Sequence, residues 1–321
     1  MNYPRQKRDP RTGLRTSATL ATVFTILGHT VLGFEQPVAQ VFVALGTGYA
    51  CALFFEWVDA RANGDVPGFM GGGIRKALDF LLSAHMTAIT LSFLLYFRQR
   101  LWIMALTVAL AIGSKYVLRV RQQGRLRHFM NPSNFGMAMV LLTYQWSGMI
   151  PWTFTIEIHG VFDWLLPLAI LILGLRLNLL FTGGIPTIAA WLATFIALGA
   201  ARAWYQGSPV AAELAVLTGL PVVLFSLYMI TDPQTSPARP RNKMVFGAGI
   251  AAAYSVLMLL HVQYTMFYSV TVICALRGLY LFALSLYAPV AGPAPEPQQQ
   301  AIATAGSFVR APEPQEAVTV D

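Results

Sequence analysis

Residues 38–57, VAQVFVALGTGYACALFFEW, form a run of twenty with a single charged side chain, Glu56, near its end. That length and polarity match the ~20 residues a helix needs to cross a hydrocarbon core of ~30 Å. Lipid offers an unpaired backbone no hydrogen-bond partners, and the run shows no barrel-like alternation, so a helix is the expected form. Comparable runs recur at 16–34, 77–97, 101–118, 133–149, 161–175, 185–203, 210–230, 245–261 and 266–287. The chain is 56% hydrophobic and only 11% charged, against about a quarter charged in soluble domains. The expected fold is therefore all-α integral membrane, with about ten transmembrane helices.

The first run follows Arg5, Lys7, Arg8, Arg11 and Arg15, a start that mimics a signal peptide. Its apolar stretch is long and no small-residue cleavage site follows, so it reads as a retained first helix. Lys and Arg should gather in alternate loops, on the cytoplasmic side. With the N-terminus inside, 18 of the 22 fall on that side, three (Arg98, Arg100, Arg202) fall outside, and Arg277 lies within the last run. The net charge of +8 is thus a mark of topology, and no nucleic-acid partner is expected. An even span count puts both termini in the cytoplasm.

Three regions follow: a basic N-terminus (1–15), a ten-helix domain (16–287) and a tail (288–321). The tail, with APVAGPAPEPQQQ and APEPQEAVTVD, has the composition of a disordered segment. The Gly-rich stretch GDVPGFMGGGIRK lacks a preceding strand and a GKS or GKT, so it reads as a flexible connector rather than a phosphate cradle. The longest outer loop, SGMIPWTFTIEIHG, places Trp152 and Phe154 as interfacial anchors. Ten helices divide into two sets of five, and an odd number per set would invert one relative to the other, as in transporter folds. Cys51 and Cys274 lie in predicted spans without companion spacing and read as buried small side chains.

Two polar clusters stand out. The first, Arg127-His128-Phe129-Met130-Asn131-Pro132-Ser133-Asn134-Phe135-Gly136, enters the fifth helix. Pro132 suits a first helical position, and Asn131 or Ser133 can cap the free amides. The same amides favour an anion such as a cofactor phosphate, with Arg125, Arg127 and His128 beside it. Capping and ligand contact are both open. The second, Tyr228-Met229-Ile230-Thr231-Asp232-Pro233-Gln234-Thr235-Ser236-Pro237, lies at the cytoplasmic end of the eighth helix, where Asp232-Pro233 can act as a helix stop. Both clusters emerge on one membrane face and could form one site.

From about Asp9 to Leu284 the chain resembles the membrane proteins of enediyne natural-product gene clusters called UnbU. The stretches that carry this are LGHTVLGFEQP, GSKYVLR, RHFMNPSNFG, RLNLLFTGGIP, YMITDPQTSPARP and CALRGLYLF. More distantly, NPSNFG and MITDPQTSP are similar to the Asn-Pro and Thr-Asp-Pro signatures of the D subunit of Rnf electron-transport complexes and the B subunit of sodium-pumping NADH:quinone reductase. That resemblance implies a ten-helix, flavin-linked membrane redox component rather than a self-contained enzyme. Those subunits attach FMN to a Thr in a Ser-Gly-Ala-Thr-like stretch, which this chain lacks; Thr182 and Thr187 flank a Gly-Gly without matching it. A non-covalent flavin, FMN or riboflavin, or a lost cofactor is what remains. The chain carries no iron-sulfur cysteine pattern, so redox partner proteins or biosynthetic enzymes at the cytoplasmic face would supply or accept the electrons. The expected location is the bacterial plasma membrane.

The candidate cofactor-binding set is Arg127, His128, Asn131, Ser133 and Asn134 from the first cluster, Thr231, Asp232 and Thr235 from the second, and Arg277. Arg277 sits near the middle of the last run, where an unpaired charge costs about 2.5–3.5 kcal/mol. It is read either as facing a ligand or as paired with a carboxylate such as Glu213. Glu213, Asp79 and Asp163 are expected to be solvated at the interface, and Glu56 to join Arg61 or Lys76. His29, His85 and His261 share no ligand spacing and read as hydrogen-bonded packing; no metal site or catalytic residue is assigned. Pro167 and Pro221 should kink their helices. Two other functions fit the sequence: a transporter or channel-like protein moving a small biosynthetic molecule, and a membrane scaffold for soluble biosynthetic enzymes.

Overall fold

A computed structural model describes residues 10–98, 100–122, 125–149 and 158–287. The expected anchors Trp152 and Phe154 and the tail from 288 lie outside the described residues. The first half runs α1 (Pro10–Thr30), α2 (Val38–Asn63), α3 (Gly73–Leu94), β1 (Leu95–Tyr96), α4 (Leu101–Val117), β2 (Arg119–Gln122), β3 (Arg125–His128), α5 (Pro132–Thr143) and β4 (Gly148–Met149). The second runs α6 (Phe162–Leu177), continued by a π-helical turn at Asn178–Thr182, then α7 (Ile185–Gln206) and α8 (Val210–Leu214), continued by a 3₁₀ turn at Ala215–Thr218. It ends with α9 (Leu220–Leu224), continued by a π-helical turn at Phe225–Met229, α10 (Pro240–Leu259) and α11 (Thr265–Tyr287).

The protein is all-α and multi-pass in character. Among the described residues six helices are long and apolar enough to cross a membrane: α2, α3, α6 with its π turn, α7, α10 and α11. The α8–α9 pair makes a seventh if its two parts, bent by 66°, count as one span. The break falls at Gly219, and Pro221 stands in the first turn of α9, so the kink expected at Pro221 is a full interruption. Proline there removes an N–H and crowds the preceding turn. α4 has 17 residues and α5 only 12. α5 stops at Thr143 because the chain beyond it turns into β4, which pairs with β1, Leu95 opposite Met149 and Tyr96 opposite Gly148.

A hairpin stands where a plain loop is expected after α4. β2 and β3 pair antiparallel, Arg119 opposite His128 and Val120 opposite Arg127. α2 also extends past residue 57, to Asn63, because its late acids are bound. Glu56 accepts from the Gly68 amide at 2.8 Å and from Tyr116 Oη at 3.3 Å, not from Arg61 or Lys76. Asp59 takes a two-pronged contact from Arg119, at 2.9 and 2.5 Å. These contacts, with Lys76 donating to the Met70 carbonyl at 2.9 Å, tie down the Gly-rich connector.

Two cores form, and each draws on both ends of the chain: Phe267 of α11 is buried in the first and Met130 in the second. In the first, Ala44, Ala88, Leu91, Met104, Val108 and Met137 pack together; in the second, Trp191, Phe195, Phe225, Ile250, Tyr254 and Val270 do so. Met229 lies against both. α2 packs most closely on α4, and α7 on α10. Both pairs run parallel. Along α7 and α10, Thr187 and Trp191 meet Gly247, the Phe195 and Tyr254 rings lie 5.2 Å apart, and Arg202 reaches Ser255. At Gly247 the backbones are so close that a Cβ would run into the Thr187 carbonyl.

Two acids read as solvated are in fact paired. Arg15 reaches Asp79 from α1 to α3 at 2.9 and 2.5 Å. Glu213 accepts from Arg202 Nε at 3.0 Å, with Arg202 only 4% exposed. The pairing of Arg277 with Glu213 therefore does not form, because Arg202, eleven residues away on the adjoining helix, takes that carboxylate first. His85 sits between Thr22 Oγ1 (2.8 Å) and Tyr49 Oη (2.6 Å), joining α1, α2 and α3.

Candidate functional site

Asn131 organises the first cluster. Its backbone is extended, and its Oδ1 accepts from the Asn134 amide at 3.2 Å and from Ser133 Oγ at 3.0 Å, so it is the N-cap of α5. The Phe135 amide bonds the Asn131 carbonyl at 2.9 Å. The cap leaves Nδ2 of Asn131 free to reach across to the second half, where it donates to the Met229 carbonyl at 3.2 Å. The two polar clusters are thereby in contact.

The acceptor belongs to the π turn that ends α9. A π turn lengthens the hydrogen-bond step and leaves carbonyls open to other donors. The Leu227 carbonyl of the same turn takes Asn178 Nδ2 at 2.7 Å and Thr231 Oγ1 at 2.8 Å. Asn178 is wholly buried; it also donates to the Gly174 carbonyl at 2.8 Å and accepts from Thr182 Oγ1 at 2.7 Å. Two asparagines, one from each half, thus hold one turn.

Beyond it, Asp232 folds the second cluster on itself, accepting from the Gln234 amide at 3.0 Å and from Thr235 Oγ1 at 3.1 Å. Thr235 is buried, and its carbonyl accepts from Arg277 Nη1 at 2.8 Å. Next to Arg277, Gly278 makes room for the Phe129 ring, which a Cβ there would strike. The stretches around Asn131, Asn178, Asp232 and Arg277 therefore meet at one junction.

Three polar atoms at this junction lack partners. Both Nδ2 and Oδ1 of Asn134, a residue 1% exposed, are unbonded, as is the buried Nε2 of His128. Burial pushes the His128 imidazole below its ordinary value, with Lys115 and Arg119 adding to the shift and Asp232 opposing it. Lys115 is itself held by Ser83 Oγ (2.9 Å) and Thr87 Oγ1 (3.1 Å). Arg127 is exposed and lies outside the junction. Of the sequence-derived candidates the structure thus gathers His128, Asn131, Ser133, Asn134, Thr231, Asp232, Thr235 and Arg277.

Sequence reasoning missed Asn178 and Lys115. An Asn between Leu177 and Leu179, just past the end of an apolar run, and a Lys inside the last turn of α4 were the available signals. Among the described residues no three His, Cys, Asp or Glu side chains gather as metal ligands.

The unpartnered Asn134 amide offers a donor and an acceptor side by side. The α5 N-terminus suits a phosphate less well, since Asn131 already takes the Asn134 and Phe135 amides. No family model matches this chain, and neither does any curated protein.

Proposed function

We propose that this chain is a flavin-linked electron-transfer component of a bacterial plasma membrane, serving natural-product biosynthesis. In this reading it has ten spans in two inverted five-helix halves, with both termini in the cytoplasm. The matching parallel pairs α2–α4 and α7–α10 and the bias of Lys and Arg toward alternate loops support that arrangement.

The observation that carries the flavin reading is the buried Asn134 side chain with neither polar atom bonded, at the junction of the segments that resemble flavin-carrying subunits. A buried amide left unpaired costs about 1–3 kcal/mol, which a ligand edge of complementary pattern would relieve. When bound, the flavin supplies the ability to pass electrons singly or in pairs. Asn134 orients its edge, neutral His128 holds or moves a proton at Nε2, and Lys115 offsets negative charge. The packed helices exclude water. Without a Ser-Gly-Ala-Thr-like stretch the ligand is held non-covalently, and partner proteins at the cytoplasmic face exchange the electrons.

The test is to purify the protein from cells expressing its native neighbours, extract it with acid and identify any released flavin by mass spectrometry. Flavin near one per chain, lost in Asn134→Leu with the fold intact, is the expected result. A colourless, flavin-free protein overturns the reading.

A second reading, transport of a small molecule, is favoured by the 66° break between α8 and α9. Beside Arg202 lies a half-open surface groove of about 340 Å³ lined by Leu198, Tyr205, Ser255 and Leu259. Uptake into proteoliposomes without an electron donor, abolished by Arg202→Met, would select it.

A further inference from the structure

α1 runs parallel to α3. Arg15 meets Asp79, Thr22 meets His85, and the Phe24 and Phe93 rings lie 5.7 Å apart. α3 is one of the helices long and apolar enough to cross a membrane, and from Asp79 to Phe93 it rises ~21 Å at ~1.5 Å per residue. α1 matches it in length, with 21 residues, yet lays Arg15, Thr22 and His29 along one line at seven-residue spacing. His85 stands near the centre of α3. Ionisable side chains at such depth are costly to bury and characteristically serve as relays for ions and protons.

The hydrogen bonds fix where each proton sits. The Thr22 hydroxyl donates to the Ala18 carbonyl at 2.8 Å, so it can only accept from His85, whose Nε2 therefore carries hydrogen. Nδ1 of that neutral ring is an acceptor, covered by the Tyr49 hydroxyl at 2.6 Å. At His29 the order is reversed. Its Nδ1 bonds the Thr25 carbonyl at 2.9 Å and must carry the hydrogen, which leaves Nε2 as the bare nitrogen.

That nitrogen is buried and has no partner. Packing gains nothing from an orphaned acceptor, which has lost its hydration without a replacement. Beyond His85 along the seam come Phe24, Phe34 and Phe93, each ring edge-on to the other two at 5.7–6.0 Å. Phe34 carries the contact on to the His29 ring, 5.7 Å away. A constriction of apolar side chains closes a conduction path by excluding water.

We propose that the α1–α3 seam conducts protons, with His85 and His29 as relays and the three phenylalanines as the closed gate between them. An arriving proton binds Nδ1 of His85 as the Tyr49 hydroxyl turns away, and the imidazolium releases its Nε2 proton. One N–H bond forms and one breaks, and a turn of the ring restores the first tautomer. His29 takes a proton on its bare Nε2 and gives it up again from the same atom. No electron moves in either step, so the path needs neither oxidant nor reductant. Below His85 the seam ends at the Arg15–Asp79 pair, whose arginine is exposed. No residue of the seam belongs to the Asn134 junction, and the proposal does not rest on the flavin reading.

The test reconstitutes the full chain in liposomes loaded with the pH dye pyranine and imposes a potassium–valinomycin potential, with no electron donor. Proton entry is compared with that of the unmodified chain. Phe93→Ala should speed it at least tenfold by opening the gate. Where that variant fails to fold, Phe34→Ala, which trims a ring in the loop after α1, takes its place. Adding His85→Gln should return the flux to the unmodified level, because glutamine keeps a donor for Thr22 and an acceptor for Tyr49 but carries no proton. Adding His29→Gln should do the same. Proton entry that neither opened variant speeds, or a fast flux that survives His85→Gln, overturns the proposal.

Discussion

Arg277 of α11 donates to the main-chain carbonyl of Thr235 across 2.8 Å, so the last helix holds the loop that follows α9. Hydrogen bonds to charged groups contribute about 1.5–3 kcal/mol, and removing one partner strands the other. Arg277→Met should therefore lower the melting temperature and speed proteolytic cutting within residues 231–237. Arg277→Lys should recover part of both. Unchanged proteolysis in Arg277→Met would show that the loop is held by other contacts.

Gly278 and Phe129 form a fitted pair, glycine making room for the ring. Gly278→Ala should destabilise by about 1–3 kcal/mol through overpacking. Trimming the ring, in Phe129→Leu combined with Gly278→Ala, should cost less than the two single changes added together. A double-mutant cycle by thermal unfolding measures the coupling, and additive costs would contradict the packing described.

The buried Arg202–Glu213 pair fixes α8 against α7, with Arg202 also donating to Ser255 of α10 at 2.5 Å. Breaking a buried pair by removing one charge costs about 3–5 kcal/mol, whereas replacing both with apolar groups costs far less. Glu213→Gln should thus unfold well before the double variant Arg202→Met/Glu213→Leu. The reverse order would mean that the pair is effectively solvated.

His128 gives a pH signature. Its imidazole titrates below the ordinary value of about 6.5, so between the folded and unfolded values the unfolded chain binds more protons. The stability from this group is complete above the ordinary value and falls as pH drops through the window beneath it. Thermal unfolding from neutral to mildly acidic pH should show that loss, and His128→Phe should remove it. An identical pH dependence in both proteins would contradict the burial of the neutral ring.

The apolar, helical character of the chain was legible because apolar length is a local property, and six of the described helices have the length and composition to cross a membrane. Partnerships were not legible. Asp79 and Glu213 read as solvated because their arginines lie 64 and 11 residues away along the chain. The hairpin at 119–128 escaped because four-residue strands of mixed polarity leave no trace in a search for apolar runs. Asn178 escaped because it falls beyond the apolar run at 161–175 and its partners are main-chain carbonyls, which no sequence pattern marks. The break at Gly219 was visible only as Pro221, since a proline does not reveal how far the chain bends.

The most direct measurement for the account as a whole is the visible absorption spectrum of the protein in native membranes, followed through reduction by dithionite and reoxidation by air. The account predicts a flavin band that bleaches and returns reversibly, and that is missing in Asn134→Leu although the variant is present in equal amount. A spectrum without such a band, or a band that Asn134→Leu leaves untouched, would contradict it.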